Sequence, residues 1–434
     1  MHRRAVVAAI ACVTLAGLTT ACGGSSGSNG GGGGNGGSSS GGGGRGPITY
    51  VQGKDNNNIL PTIAQMWNSN HPNEKVTIKQ QSDSADDQHQ DDVQHFQAKD
   101  PGYDVVSVDV VWTAEFAAKG WLTPLKGQYA LDTSALFQPT VKSATYNGTM
   151  YAGPASSDGG LLYYRKDLLG GKQPPTTWQD MYSDCSIAKQ NNIDCYGGQY
   201  AQYEGLVVNT AEAINTAGGE VVNSQGQPEV TSQQAKNGMN LLVTGFQKGY
   251  IPKDALTWQE EQSLNDFESG HLLFMRNWPY AFSLLSTDAK SAVKGKFGVT
   301  TLPGDQQDPQ GKMPGVSSLG GHNIAISAYS KHKATALDFI KFYESEATQK
   351  LLLQKASLAP VRTSLYDDSS LQQQFPYLST LKTVITNAQP RPVTPFYPAV
   401  SQAIEQNAYA ILQGQKSVDQ GLSDLQQAIS AASK

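Results

Sequence analysis

Cysteine is scarce in this chain: four in 434 residues, with Cys12 and Cys22 in the apolar N-terminal segment. The other two, Cys185 and Cys195, are spaced too widely for a Cys-x-x-Cys redox motif. Charge is thin as well, at 16% of residues with a formal net of -5, so no basic footprint exists for a phosphate backbone and nucleic acid is excluded as a partner. The suggestive histidine grouping, His89, Asp92 and His95, recurs every third residue and drifts roughly 60° per step around a helix, which spreads the side chains instead of converging them on a metal. No metal and no cofactor is expected. Neither internal repeats nor a C-terminal anchor is evident, contrary to what a stalked adhesin would need.

What is present begins with an export signal. His2, Arg3 and Arg4 precede an apolar run from Ala5 to Leu18, too short for a mature membrane span, and the segment ends in Thr-Thr-Ala-Cys at Cys22. Small residues before Cys22 resemble a bacterial lipobox, with Thr19 in place of the usual Leu and Leu18 one position further back. Residues 1–22 are therefore expected to be a lipoprotein signal peptide, with Cys22 lipidated and the protein held by its acyl chains on the extracellular face of the bacterial cell membrane. Residues 23–46 are almost entirely Gly, Ser and Asn, a flexible tether with a reach of roughly 25–30 Å. Outside the cell a disulfide between Cys185 and Cys195 is expected to close a small loop, stabilising by roughly 2–3 kcal/mol.

The rest of the chain exceeds one typical core and alternates short β-branched runs with amphipathic segments, an α/β pattern in two lobes. Ile48–Val51 and Val76–Ile78 read as strands, and Ile59, Ile63, Met66 and Trp67 as the inner face of a helix with Pro61 in its first turn. Gln81–Phe96 reads as a polar helix. Asp104–Val111 is a strongly β-branched run carrying Asp109 near its C-terminal end, where ligands of α/β sheets meet their loops. Trp112–Leu125 reads as a helix capped at Gly120. Met150–Gly153 is a strand that Pro154 ends, and after a turn containing Asp158, Gly159 and Gly160 a second strand starts at Leu161. That stretch places a carboxylate between two packed bodies, although alone it also reads as a surface turn. Glu204 opens a helix after Gly197, where the helix dipole by itself accounts for an acid. In LLFMRNWPYAF, Pro279 ends a strand between Trp278 and Tyr280, two rings suited to the C–H face of a pyranose or to core packing. Gly320 and Gly321 precede an alternating strand and allow close backbone approach to a ligand. Arg391 opens the run RPVTPFY.

The stretches YNGTMYAGPASSDGGLLYYRKDLL, DVVWTAEFAAKGWLTPL, NWPYA and RPVTPFY resemble extracellular solute-binding proteins of ABC sugar importers, the trehalose/maltose type, and the resemblance covers nearly everything from residue 48 onward. It implies a two-lobe, type II periplasmic-binding-protein-like fold, with mixed sheets flanked by helices and three hinge crossings. The expected lobes are 47–154 plus 320–358, and 155–319 plus 359–434. It also implies a ligand site of Asp109, Asp158, Glu204, Trp278, Tyr280, Gly320, Gly321 and Arg391. Asn57 and His89 join them, standing where the trehalose/maltose branch tends to have an acid and an arginine. His322 stands where an aromatic is common. The expected partners are a di- or oligosaccharide and ABC permease subunits with an ATPase, for a monomeric protein that is not an enzyme. The alternative from the residues themselves is a glycoside hydrolase, since Asp109, Asp158 and Glu204 could supply an acid and base pair.

Overall fold

The computed structural model describes residues 44–223, 225–306 and 315–432. The expected signal peptide, with Cys22, and the expected tether as far as residue 43 lie outside the described residues.

The first sheet collects the β-branched runs of the outward leg. Strands β1 (Ile48–Gln52), β2 (Val76–Gln80) and β3 (Val105–Asp109) are parallel neighbours, in the order β2-β1-β3. A two-residue hairpin, β4 (Thr145–Tyr146) and β5 (Thr149–Met150), turns at Asn147 and Gly148, both at positive φ, the turn that an Asn-Gly pair favours. β6 (Ala152–Pro154) then takes the sheet edge, where a proline costs no ladder bond. The chain next forms β7 (Asp158–Gly159) and β8 (Leu161–Arg165). With β9 (Asp194–Gly197), β10 (Leu272–Asn277) and β11 (Phe297–Thr301), β8 builds a second sheet in the order β11-β8-β10-β9. The return passes through β12 (Leu319–Gly320), paired with β7, into β13 (His322–Ile326), which inserts antiparallel between β3 and β6.

Each sheet has its own apolar packing. Ile48, Tyr50, Val105, Ile324, Phe339 and Ile340 belong to one buried cluster on the first sheet, while Leu162, Phe274, Leu206, Ile214 and Ile404 belong to another on the second. Between the two bodies three crossings run side by side. Ser157 N donates to Ala359 O (3.1 Å), and the Gln349 amide donates to Ala155 O and accepts from Val361 N, so the first and third crossings share a clamp.

One helix is shorter than the sequence suggests. The polar helix begins at Ala85, because Gln81–Ser84 is spent on turn bonds such as Ser82 Oγ to Asp87. The helix expected to be capped at Gly120 runs Thr113–Ala118 and ends there as expected, where Gly120 at φ 71° lets Trp121 N reach back to Phe116 O. Cys185 and Cys195 are joined by a disulfide. Among the described residues no helix is long and apolar enough to cross a membrane.

Candidate ligand-binding cleft

A cavity of about 250 Å³ lies between the two sheets, at the C-terminal ends of the first-sheet strands. The β13–β3 register sets His322 opposite Asp109, so both reach the same rim. Burial lowers the affinity of the His322 imidazole for a proton and keeps the ring neutral. Asp109 is the last residue of β3 and accepts from Val111 N (3.1 Å) and from Arg391 Nη2 (3.2 Å).

Arg391 ties the cleft together. It is 3% exposed, and its Nη1 donates to Glu204 Oε1, while Nη2 reaches Asp109 on the other sheet. Glu204 is anchored further by the Tyr397 hydroxyl and by Ser401 Oγ (2.6 Å), so both of its oxygens are occupied. Its main role is thus to hold Arg391. The two carboxylates keep Arg391 charged against the cost of burial. The Nε hydrogen of Arg391 has no acceptor among the described residues.

Asp158 sits on β7, in the first crossing. Burial, and next the Asp109 charge, push its carboxyl up to about 7, partly offset by Arg276. From the other side come Trp278 and Tyr280, half-buried where Pro279 ends β10. Trp278 Nε1 reaches Glu260 Oε1 at 3.4 Å. Gly320 must lack a side chain, since a Cβ there would stand 2.7 Å from Trp278 Cζ3. Gly321 needs its φ of 101° as well as its space, with Ser156 O 2.4 Å from an added Cβ. At the mouth, Asn56 Nδ2 donates to Glu261 (2.8 Å) and Asn57 Nδ2 to Ser283 Oγ (3.2 Å), bonds that join the two bodies.

Nine of the ten residues expected at a ligand site line this cavity; His89 does not. Its Nε2 is 2.7 Å from Glu115, and its ring stacks on Phe116 at 5.5 Å, inside the first body. Gln88, one position earlier and about 100° round the same helix, faces the cavity instead. His95 pairs with Asp100 and Asp92 with Gln81, so the three residues of the histidine grouping go to separate partners. Tyr50, Gln52 and Asp55, at and just after the end of β1, and Glu260 and Glu261 in a helical first turn, line the cavity without having been singled out. The rule that placed Asp109 at the C-terminal end of its strand applies equally to Tyr50 and Gln52 and would have found them.

Comparison with known proteins agrees with this geometry. Residues 51–350 match the family described as bacterial extracellular solute-binding protein. A protein of Deinococcus radiodurans named "Probable ABC transporter-binding protein" is 32% identical over 332 residues, 74% of this chain and 77% of that protein. A mannitol-binding protein of Pseudomonas aeruginosa is 27% identical over 356 residues, 75% of this chain and 79% of its own length. Among solved structures, maltose-bound MalE3 of T. maritima superposes with a TM-score of 0.84 at 31% identity, covering 89% of this chain and 99% of that one.

Proposed function

The chain belongs to the bacterial extracellular solute-binding proteins, which bind and do not catalyse, and from that premise we propose that it captures a di- or oligosaccharide of the α-glucoside type in the cleft. The observation that carries this reading is the convergence, in one cavity, of carboxylates from both bodies with the Trp278 and Tyr280 rings. Hydroxyl groups of a neutral sugar donate to Asp109 and Asp158, and the C–H face of a pyranose lies on Trp278. Contacts from both bodies favour the closed arrangement by differential affinity, the three crossings serving as the hinge.

In this reading the lobes are 47–154 plus 320–358 and 155–319 plus 359–434. The loaded monomer, lipid-anchored through Cys22 and its tether, delivers the sugar to ABC permease subunits with their ATPase. The neighbours support a carbohydrate or polyol ligand, since one is bound to maltose and another is named for mannitol. Thermal-shift measurements with maltose, trehalose, maltotriose and mannitol test the reading. A rise in Tm with a disaccharide, diminished in Trp278→Ala, is expected; a rise with mannitol alone, or with none of the four, would reject it.

A further inference from the structure

The indole of Trp278 is pressed from behind by a buried cation. Arg276 lies two residues earlier, near the end of β10, and its Cζ is 3.8 Å from the Trp278 ring centroid. The guanidinium is 1% exposed, and all three of its nitrogens donate to partners around its edge. Nε and Nη2 grip Glu212 (2.9 and 2.7 Å), and Nη1 reaches Gln199 Oε1 (3.2 Å). An arginine held this way keeps its flat face for stacking. Glu212 is also bound by Ser318 N (3.1 Å) in the return crossing. The cation is therefore fixed relative to the hinge segments as well as to β10.

We propose that Arg276 is a positioning residue for ligand binding. Gripped by Glu212, its guanidinium covers one face of Trp278 and so fixes the orientation in which the opposite face is offered to the cavity. The inference rests on the carbohydrate reading for its consequence, but the orientation of the ring can be measured without ligand.

The test is a double-mutant cycle in the full chain between Arg276→Lys, which keeps the charge and loses the planar fork, and Trp278→Ala. Calorimetry with maltose reads affinity, and near-ultraviolet circular dichroism without ligand reads the ordering of the indole. Arg276→Lys is expected to weaken maltose binding about tenfold when Trp278 is present and to leave it unchanged, within about twofold, when Trp278 is already alanine. The dichroism band lost on Trp278→Ala is expected to be lost on Arg276→Lys too. Equal losses of affinity in both backgrounds, or a Trp278 band intact in Arg276→Lys, would overturn the proposal. Should Arg276→Lys fail to fold, Glu212→Gln, which keeps the shape and weakens the grip, takes its place in the same cycle with the same expected and contrary results. If native protein ignores maltose, trehalose and maltotriose alike, the α-glucoside reading fails, while the dichroism still decides the role of Arg276.

Discussion

Replacing Gly320 by alanine perturbs the cleft by a single methyl group. Gly320 is not at positive φ, so alanine meets no backbone strain, and the effect is purely one of space. The added Cβ would lie 2.7 Å from Trp278 Cζ3 and 2.9 Å from Cη2. Carbon contacts settle at roughly 3.5–4.0 Å, so the ring must move by about 1 Å. It cannot retreat toward Arg276, whose Cζ is already 3.8 Å from the ring centroid and is gripped by Glu212. Overpacking of that kind costs about 1–3 kcal/mol, equivalent in a chain of this size to a fall in Tm of about 1–4 °C. Because the displaced group is the stacking surface, affinity for the sugar should fall by at least ~10-fold, since misplacing a binding group by about 1 Å is expensive. Differential scanning calorimetry and a titration of the same sample measure both. A Gly320→Ala protein with native Tm and native affinity would refute the placement of Trp278 against the return crossing.

Arg391→Ala leaves the buried Glu204 and the half-buried Asp109 without their cation, so a loss of about 3 kcal/mol is expected in denaturant unfolding. Arg391→Lys should recover part of it. Burial, with only the Arg362 charge opposing it, pushes Glu344 up to about 8. The folded chain therefore holds a proton that the unfolded chain releases near the ordinary value of 4.5. Stability should then fall as pH rises from about 4.5 to 8, by on the order of 5 kcal/mol from this group alone, and Glu344→Gln should flatten the profile in pH-dependent melts. A Glu344→Gln profile as steep as the native one would contradict the burial. Reducing the Cys185–Cys195 bridge, or Cys185→Ser with Cys195→Ser, opens a loop of sequence separation 10 and should cost about 3 kcal/mol, read as a lower urea midpoint with ligand affinity unchanged.

Local chemistry made much of the cleft legible. Asp109 could be placed because a β-branched run ends on it, and Trp278 and Tyr280 because Pro279 stops a strand between them. The face of the helix Ala85–Gln97 could not be read, because Val93 and Phe96 are nearly its only apolar residues and periodicity then fixes the helix without fixing its rotation. Nothing in that pattern therefore separates Gln88, which lines the cavity, from His89, which does not. The role of Glu204 was hidden for a different reason. Its partners Arg391, Tyr397 and Ser401 lie 187, 193 and 197 residues away, and no local pattern reports which carboxylate an arginine will choose. Distance also conceals the counter-ion of Arg276, since a strand arginine that follows four apolar residues signals burial but not its pairing with Glu212, 64 residues away.

The central claim is that the cleft takes a carbohydrate and returns it unaltered. Isothermal titration of the purified protein with maltose and maltotriose tests it most directly. The expected record is a saturable one-to-one isotherm whose heat returns to baseline after every injection. A flat record with both sugars, or heat that persists after each injection as glycosidic bonds are cleaved, would contradict it.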